Sequence, residues 1–440
     1  MNAKSLRSSW ASLLTGCVLL LCAGSCAESK EPNVTTKAFA ADPQPAGATS
    51  GTGEGEAEAP IAKNADPLAD APIEAYQRKL LELAFKSACA LPVDPQIKNR
   101  SRSQQAVVEA CLELDQTALA LRYLDQIENW RKGLCYAQLA LHCVNTGRTR
   151  EVEHFLKLAS RIADDHMREL NSQAWRRDRV RARIAQTWAA LGQEDKLAEF
   201  NGLEDSEAGW VESARVLRMT DEEVDAWVAG FEDRIHTSTL DRIRAALATM
   251  ADLYPRFADD EERREALEKS IAVAYGKVPA QVAVEALLDM ADAAAEVDRT
   301  SAAQDLTAEA RRIFEGVQWN PRDAVSLRAE VAKRFARAGD IEEAKTLLEA
   351  ALVLFEQERE AIENFERGGA LRPIAEAWVL LGEQAMAQSL YLRTVQEGGV
   401  NPNLRPRVDD LTGTACSMAI YGCELTDPVW NEMSRISNEL

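Results

Sequence analysis

The chain reads as an all-α protein: an α-solenoid of antiparallel helix pairs, preceded by a leader and a tether. Three observations predict this. The 440 residues are 46% hydrophobic but only 6% aromatic, with alanine and leucine dominant in the ordered part. Runs of Val, Ile, Thr and Tyr at period two are absent, so no half-buried strand is announced. A fixed order of small, large and glycine residues recurs in series through most of 100–435.

Residues 1–26 form a targeting segment. Lys4 and Arg7 make a basic start, an apolar run extends from about Trp10 to Cys22, and small residues precede Cys26 in "LLLCAGSC". The run is too short for a good membrane span. The segment resembles a bacterial lipoprotein signal, in which the cysteine after a small-residue box is lipidated. Cys26 takes that place here; Cys17, in "LLTGC", and Cys22 are the alternatives, as is an ordinary secretory leader. Ala27 follows Cys26, where an aspartate would signal inner-membrane retention in many two-membrane bacteria. The resemblance therefore implies an outer-membrane anchor facing the periplasm. Several acyl chains together hold such an anchor stably.

Residues 27–72 change composition. "ADPQPAGATSGTGEGEAEAP" is rich in Pro, Ala, Gly and Glu and nearly lacks large apolar residues. It cannot bury enough surface to offset ordering, and reads as a disordered tether. About 45 residues of coil reach roughly 35–40 Å.

Residues 73–440 read as helix after helix. In "FARAGDIEEAKTLLEAA", Ala332 and Phe335 lie seven and four residues before Gly339, and Ala344, Leu348 and Ala351 lie five, nine and twelve after it. Small residues let two helices approach, large ones fill the space between, and Gly339 suits the left-handed turn that ends a helix. Asp340 then starts the next. The spacing recurs around Asp115, Gly147, Gly192, Asp298, Gly382 and Gly422. This pattern resembles the tetratricopeptide repeat family in a degenerate bacterial form. The period departs from the family's 34 residues: elbows are 32 apart from Asp115 to Gly147, then 45 to Gly192, and 41, 43 and 40 from Asp298 to Gly422. The register blurs over 202–240, where Thr220 and Glu223 form a capping-box pattern. "RIRAALATMADLYPRF" restarts the array.

The residues exclude more chemistry than they announce. No HExxH, CxxC, GxSxG or P-loop occurs, and His142, His154, His166 and His236 do not sit at ligand spacing. No cofactor or metal is expected. His154 and His166 are assigned to solvated faces, and His142 to the vicinity of an elbow. Acidic pairs at Asp164–Asp165, Asp259–Asp260 and Asp409–Asp410 are placed near helix ends. Of the cysteines outside the leader, Cys135 and Cys143 share a helix about 12 Å apart and cannot bond each other. Cys89 with Cys111 is geometrically possible. Free thiols filling core holes are the alternative for these and for Cys416 and Cys423.

The formal net charge is −20, which excludes nucleic-acid binding by phosphate neutralisation. Against it stands "AWRRDRVRARIAQTW", with Arg176, Arg177, Arg179, Arg181 and Arg183. The family resemblance places Arg179, Arg183 and Gln186 on the concave face, with Lys333, Arg337 and Arg372 continuing a basic line. The bland alternative pairs these arginines with local acids. Trp188 and Trp378 take the large core position of their elbows.

The expectation is a lipid-anchored, non-enzymatic envelope protein. Its groove would hold a protein or peptide partner, one with an anionic segment among the candidates. A glycan- or solute-binding lipoprotein and an envelope enzyme with an unrecognised carboxylate site are the rival readings. Repeat arrays suit binding because stacked neighbours make one long surface, but fold does not fix function.

Overall fold

The computed structural model describes residues 68–168, 172–200, 202–203 and 205–440. The leader with Cys17, Cys22 and Cys26, and the tether up to residue 67, lie outside the described residues. The described chain is an all-α solenoid of twenty α-helices. They are α1 (Ala75–Ala90), α2 (Ile97–Glu113), α3 (Thr117–Leu124), α4 (Arg131–Asn145), α5 (Val152–His166), α6 (Ala174–Ala190), α7 (Glu194–Leu197) and α8 (Asp205–Val216). There follow α9 (Asp221–Ala229), α10 (Phe231–Thr237), α11 (Leu240–Leu253), α12 (Glu261–Ala274), α13 (Ala280–Glu296) and α14 (Thr300–Glu315). The last six are α15 (Pro321–Arg337), α16 (Ile341–Glu358), α17 (Arg367–Leu380), α18 (Gln384–Gly399), α19 (Leu404–Tyr421) and α20 (Asp427–Asn438).

The elbows take the predicted geometry. Asp115 and Asp298 have φ of 55° and 59°, and Gly147, Gly192, Gly339, Gly382 and Gly422 have φ between 71° and 77°. At Gly339 the turn closes with two hydrogen bonds: its N–H donates to Ala336 O at 3.2 Å, and Asp340 N–H donates to Phe335 O at 2.9 Å. These satisfy carbonyls that the helix end would otherwise leave bare. The Asp340 carboxylate then accepts from Glu343 N–H at 3.3 Å and caps α16. Phe335, Leu348, Ala332, Ala344 and Ala351 are all buried. Trp378 is buried, and Trp188 is half-buried against the core.

One feature of the arrangement goes beyond an open solenoid. The first helices of successive pairs, α2, α4, α6, α8, α11, α13, α15, α17 and α19, each pack on the next, and α19 packs on α2. They form a closed inner ring of nine. First helices of neighbouring pairs touch far more closely than second helices do, which is the curvature that puts them inside. Burial agrees: α4, α13 and α15 are buried on most sides, whereas α5 and α14 bury one stripe.

The ring closes through its ends. Helix α19 has no full partner following it in the chain. Instead α1 packs on α19 and α2, as α18 packs on α17 and α19. Tyr76 Oη donates to Gly422 O at 3.1 Å, Gln77 Nε2 donates to Ala419 O at 2.6 Å, and Lys86 Nζ donates to Asn438 Oδ1 at 3.2 Å. Leu80, Leu81, Ala84 and Ala88 of α1 are fully buried. Helix α20 lies over α18, α19 and α1. The fold also begins earlier than the expected boundary at residue 73. Asp70 Oδ1 accepts from the N–H groups of Ala118 and Leu119 at 2.8 and 3.1 Å, capping α3 from outside, and Asp70 pairs with Arg78 at 3.0 Å. Ala71 N–H donates to Asp115 O at 3.0 Å.

The irregular stretch is real. The elbow at Gly192 is followed by α7, only four residues long, and a 3-10 turn at Ala198–Phe200. Helix α9 starts with the predicted capping box, Thr220 with Glu223. All six cysteines outside the leader are free, and five are buried. His166 is buried, not solvated, because α5 turns it under the start of α6. Asp410 lies well inside α19 and is buried, so that acidic pair caps nothing.

Candidate binding surface

Counting back from each elbow, residues at positions two, six, nine and thirteen fall on one helix face. Contacts between first helices place that face inward. Lys333 is six before Gly339, and it meets Glu376, six before Gly382, at 2.8 Å. Asp292, six before Asp298, meets Arg337 at 2.6 Å and Arg334 at 3.1 Å. A regular ring of nine helices spaced 8–10 Å apart leaves a bore of about 15 Å.

On the α15–α17–α19 side that bore is filled. Lys333 is 3% exposed. Its Nζ also pairs with Glu330 at 2.8 Å and donates to Tyr421 Oη on α19 at 3.1 Å, reaching past α17. Ser417 Oγ donates to Glu376 Oε1 at 2.7 Å, and Tyr391 shares a 2.8 Å hydrogen bond with Ser417. Burial works against the charged lysine, but Glu330 and Glu376 overcome it and hold its pKa above the usual. Burial likewise opposes ionised Glu330, yet Lys333 and Arg334 pull its pKa down to about 2.

These contacts correct the expected basic line. Lys333, Arg337 and Arg372 do lie toward the ring interior, but they are not free to meet a partner. Lys333 and Arg337 are held by the acids above. Arg372 lies 3.8 Å from Asp410, both side chains mostly buried. In the open-groove picture they faced solvent; in the ring the neighbouring first helices supply counter-charges, α13 for Arg337, α17 for Lys333 and α19 for Arg372.

The α6 sector differs. Arg179 pairs with Glu207 at 3.0 Å, yet its side chain stays 42% exposed. Arg183 is partly exposed and has no ion pair among the described residues. Gln186 is buried at the same face. Arg177 and Arg181 turn to Asp178 at 3.2 and 3.8 Å, as the bland reading expected.

Two further residues join this sector that the repeat comparison did not single out. Arg131 starts α4, is 8% exposed, and donates to Gln105 Oε1 on α2 through a short hydrogen bond. Arg102 lies three residues before Gln105 on α2. Gln105 and Gln138 both donate to Glu109 Oε1, at 2.8 and 2.7 Å. Burial, then the neighbouring charges of Arg102 and Arg179, push the Arg131 pKa down to about 10. The Arg131 guanidinium stacks 4.9 Å from the Trp130 ring centre, Trp130 meets Trp175 edge-on at 5.4 Å, and Arg176 and Arg179 lie 5.5 Å over Trp175. Counting thirteen back from Asp115 and from Gly192 reaches Arg102 and Arg179, so the signal was present in the spacing.

Elsewhere the inner face is acidic. Asp289 is pushed well above the usual carboxylate range by burial, aided by Asp292, Glu285 and Asp252. Burial and then Glu376 raise Glu113 to about 7. Outside the ring, a cavity of about 590 Å³ opens among α9, α10 and α12, lined by Val224, Val228, Phe231, Phe257 and Leu267. Its rim cation, Arg263, is taken by Asp225 at 2.9 Å and Asp260 at 3.0 Å.

Among the described residues no group of His, Cys, Asp or Glu is arranged to hold a metal ion, and no helix is long and apolar enough to cross a membrane. No family model matches the chain, and neither curated proteins nor solved structures yield a match.

Proposed function

We propose that the protein is a lipid-anchored binding module of the bacterial cell envelope that captures an anionic segment of a protein partner at its inner face. The observation that carries this reading is the contrast between two sectors of that face. The α15–α19 side has its charges neutralised internally, while α6 presents Arg179 and Arg183 in a chain of net charge −20. Fixed cations in a partly enclosed acidic protein favour one local anion and repel extended polyanions. A bore of about 15 Å at most admits an extended chain or a side-chain group and excludes a folded domain.

Crosslinking of the full chain in native membranes tests the reading. Discrete protein adducts are expected for the wild type. Arg179→Glu with Arg183→Glu should reduce them at least tenfold without lowering the melting temperature. Equal capture by the variant overturns the inner-face reading. Cys26→Ser should move the protein from the membrane to the soluble fraction; retention there would count against that anchor.

A further inference from the structure

We infer that the arginine sector shared by α2, α4 and α6 is a binding site for a multiply charged phosphate group. The inference rests on the reading of the inner face as a binding surface, and gives it a ligand chemistry. Arg102 and Arg179 lie within electrostatic reach of Arg131, Arg183 shares the helix face of Arg179, and the carboxylates nearest them are Glu109, Glu207 and Asp409. Glu207 is engaged by Arg179 at 3.0 Å. Glu109 already accepts from Gln105 and Gln138. Asp409, the next acid toward α19, is occupied by Arg405 at 3.4 Å and Ser103 at 2.8 Å.

The arginines themselves are under-used. A guanidinium carries five N–H donors in a fixed fork. The side-chain acceptor Arg131 meets among the described residues is Gln105, although Arg131 is nine-tenths buried. Arg102 Nε is buried with no hydrogen-bond partner. Burying a cation with no ion pair is costly, and Arg131 is so buried, beside the half-buried Arg102 and Arg183 and the 42%-exposed Arg179, so the sector is arranged for an anion to arrive. A single carboxylate would leave most of the charge uncompensated. A phosphate monoester or diphosphate, with two or more charges and several acceptor oxygens, matches forked donors from several sides. Trp130 carries the Arg131 guanidinium and Trp175 that of Arg179, which fixes those two groups beforehand, and Trp175 remains 38% exposed.

The chemistry is the same whether the phosphate is a lipid headgroup or soluble. Titration calorimetry of the full chain with pyrophosphate, against chloride at matched ionic strength, should give one saturable site. Arg183→Gln and Arg179→Gln should each weaken it at least fivefold. Arg131→Gln should do the same, and Arg183, being partly exposed, keeps the test valid if Arg131→Gln fails to fold. Arg263→Gln, on the outer surface among three aspartates, should leave affinity unchanged. No saturation, or wild-type affinity in Arg183→Gln, overturns the proposal. A second arm uses the Cys26→Ser chain with phosphatidylcholine vesicles, with and without phosphatidic acid. Binding that requires phosphatidic acid and is displaced by pyrophosphate assigns the headgroup. Pyrophosphate binding without vesicle binding assigns a soluble phosphate. Vesicle binding that neither pyrophosphate nor Arg183→Gln diminishes overturns the site. Protein adducts lost on charge reversal without pyrophosphate binding would leave the partner reading standing and this one refuted.

Discussion

Asp410 offers the sharpest quantitative test of how the last pairs pack, because its environment exists only if α17, α18 and α19 meet as described. It is 7% exposed, and Oδ2 has no hydrogen-bond partner. Backbone walls it in: a Cβ added at Gly398 would lie 2.6 Å from its Cβ, and one at Gly368 would lie 3.0 Å from Oδ1. Arg372 approaches only to 3.8 Å. Burial pushes its pKa from 3.8 to about 7, with Arg372 opposing and Asp409 assisting. The folded pKa is raised, so the folded state holds a proton through the window from about pH 4 to pH 7 that the unfolded chain has released. Stability is then fully present below pH 4 and is lost as pH rises through 7. Three pH units at 1.36 kcal/mol each set a ceiling of about 4 kcal/mol. Asp410→Asn keeps the shape and removes the titration, though its amide still meets unpaired surroundings at a cost of about 1–2 kcal/mol. The variant should therefore exceed the wild type by about 2–3 kcal/mol at pH 8 and fall to equality or below at pH 4.5. Urea unfolding at pH 4.5, 6 and 8 measures the difference, which cancels the same-sign contribution of Glu113. A difference that does not change with pH would refute the reasoning.

Two further perturbations address the architecture. Leu80→Ala with Leu81→Ala removes two fully buried side chains from α1, each worth about 2–5 kcal/mol. Hydrogen exchange should show α2 and α19 losing protection together, and loss confined to α1 would mean that the ends do not close a single cooperative ring. The Cβ of Gly339→Ala meets no neighbour within 4 Å, so its cost of about 1–2 kcal/mol is that of the left-handed backbone alone. An unchanged urea midpoint for it would contradict that account.

The elbows were legible because they are local. A residue that must turn left-handed, with small and large residues at fixed distances, announces itself within one helix pair, and Asp115 and Asp298 do so as clearly as the glycines. The inner face was half legible. Arg179, Arg183 and Gln186 lie where the spacing puts them, but the fate of Lys333 depended on Glu376 and Tyr421, 43 and 88 residues away. Closure was illegible, since α1 reads as an ordinary amphipathic helix and its partner comes more than 300 residues later. His166 was misplaced for the same reason: its cover comes from the following helix, not from its own turn. Arg131 escaped notice because it stands at the first position of its helix, where a basic residue ordinarily faces water.

The way the chain enters the fold has a mechanical consequence. Any load carried by residues before Leu68 reaches α1 from its N-terminal end, where Tyr76 and Gln77 hold the last pair. Pulled directly, those bonds would peel one at a time and the ring would open. Asp70 and Ala71 intervene. They are fastened to Asp115, Ala118 and Leu119 at the first elbow, and through Arg78 to Gln116 at 2.7 Å. Tension is thus delivered to the first pair before it reaches the clasp, as strain relief protects a plug from a tug on its cord. A ring so fastened can be pulled from the residues before Leu68 and stay shut.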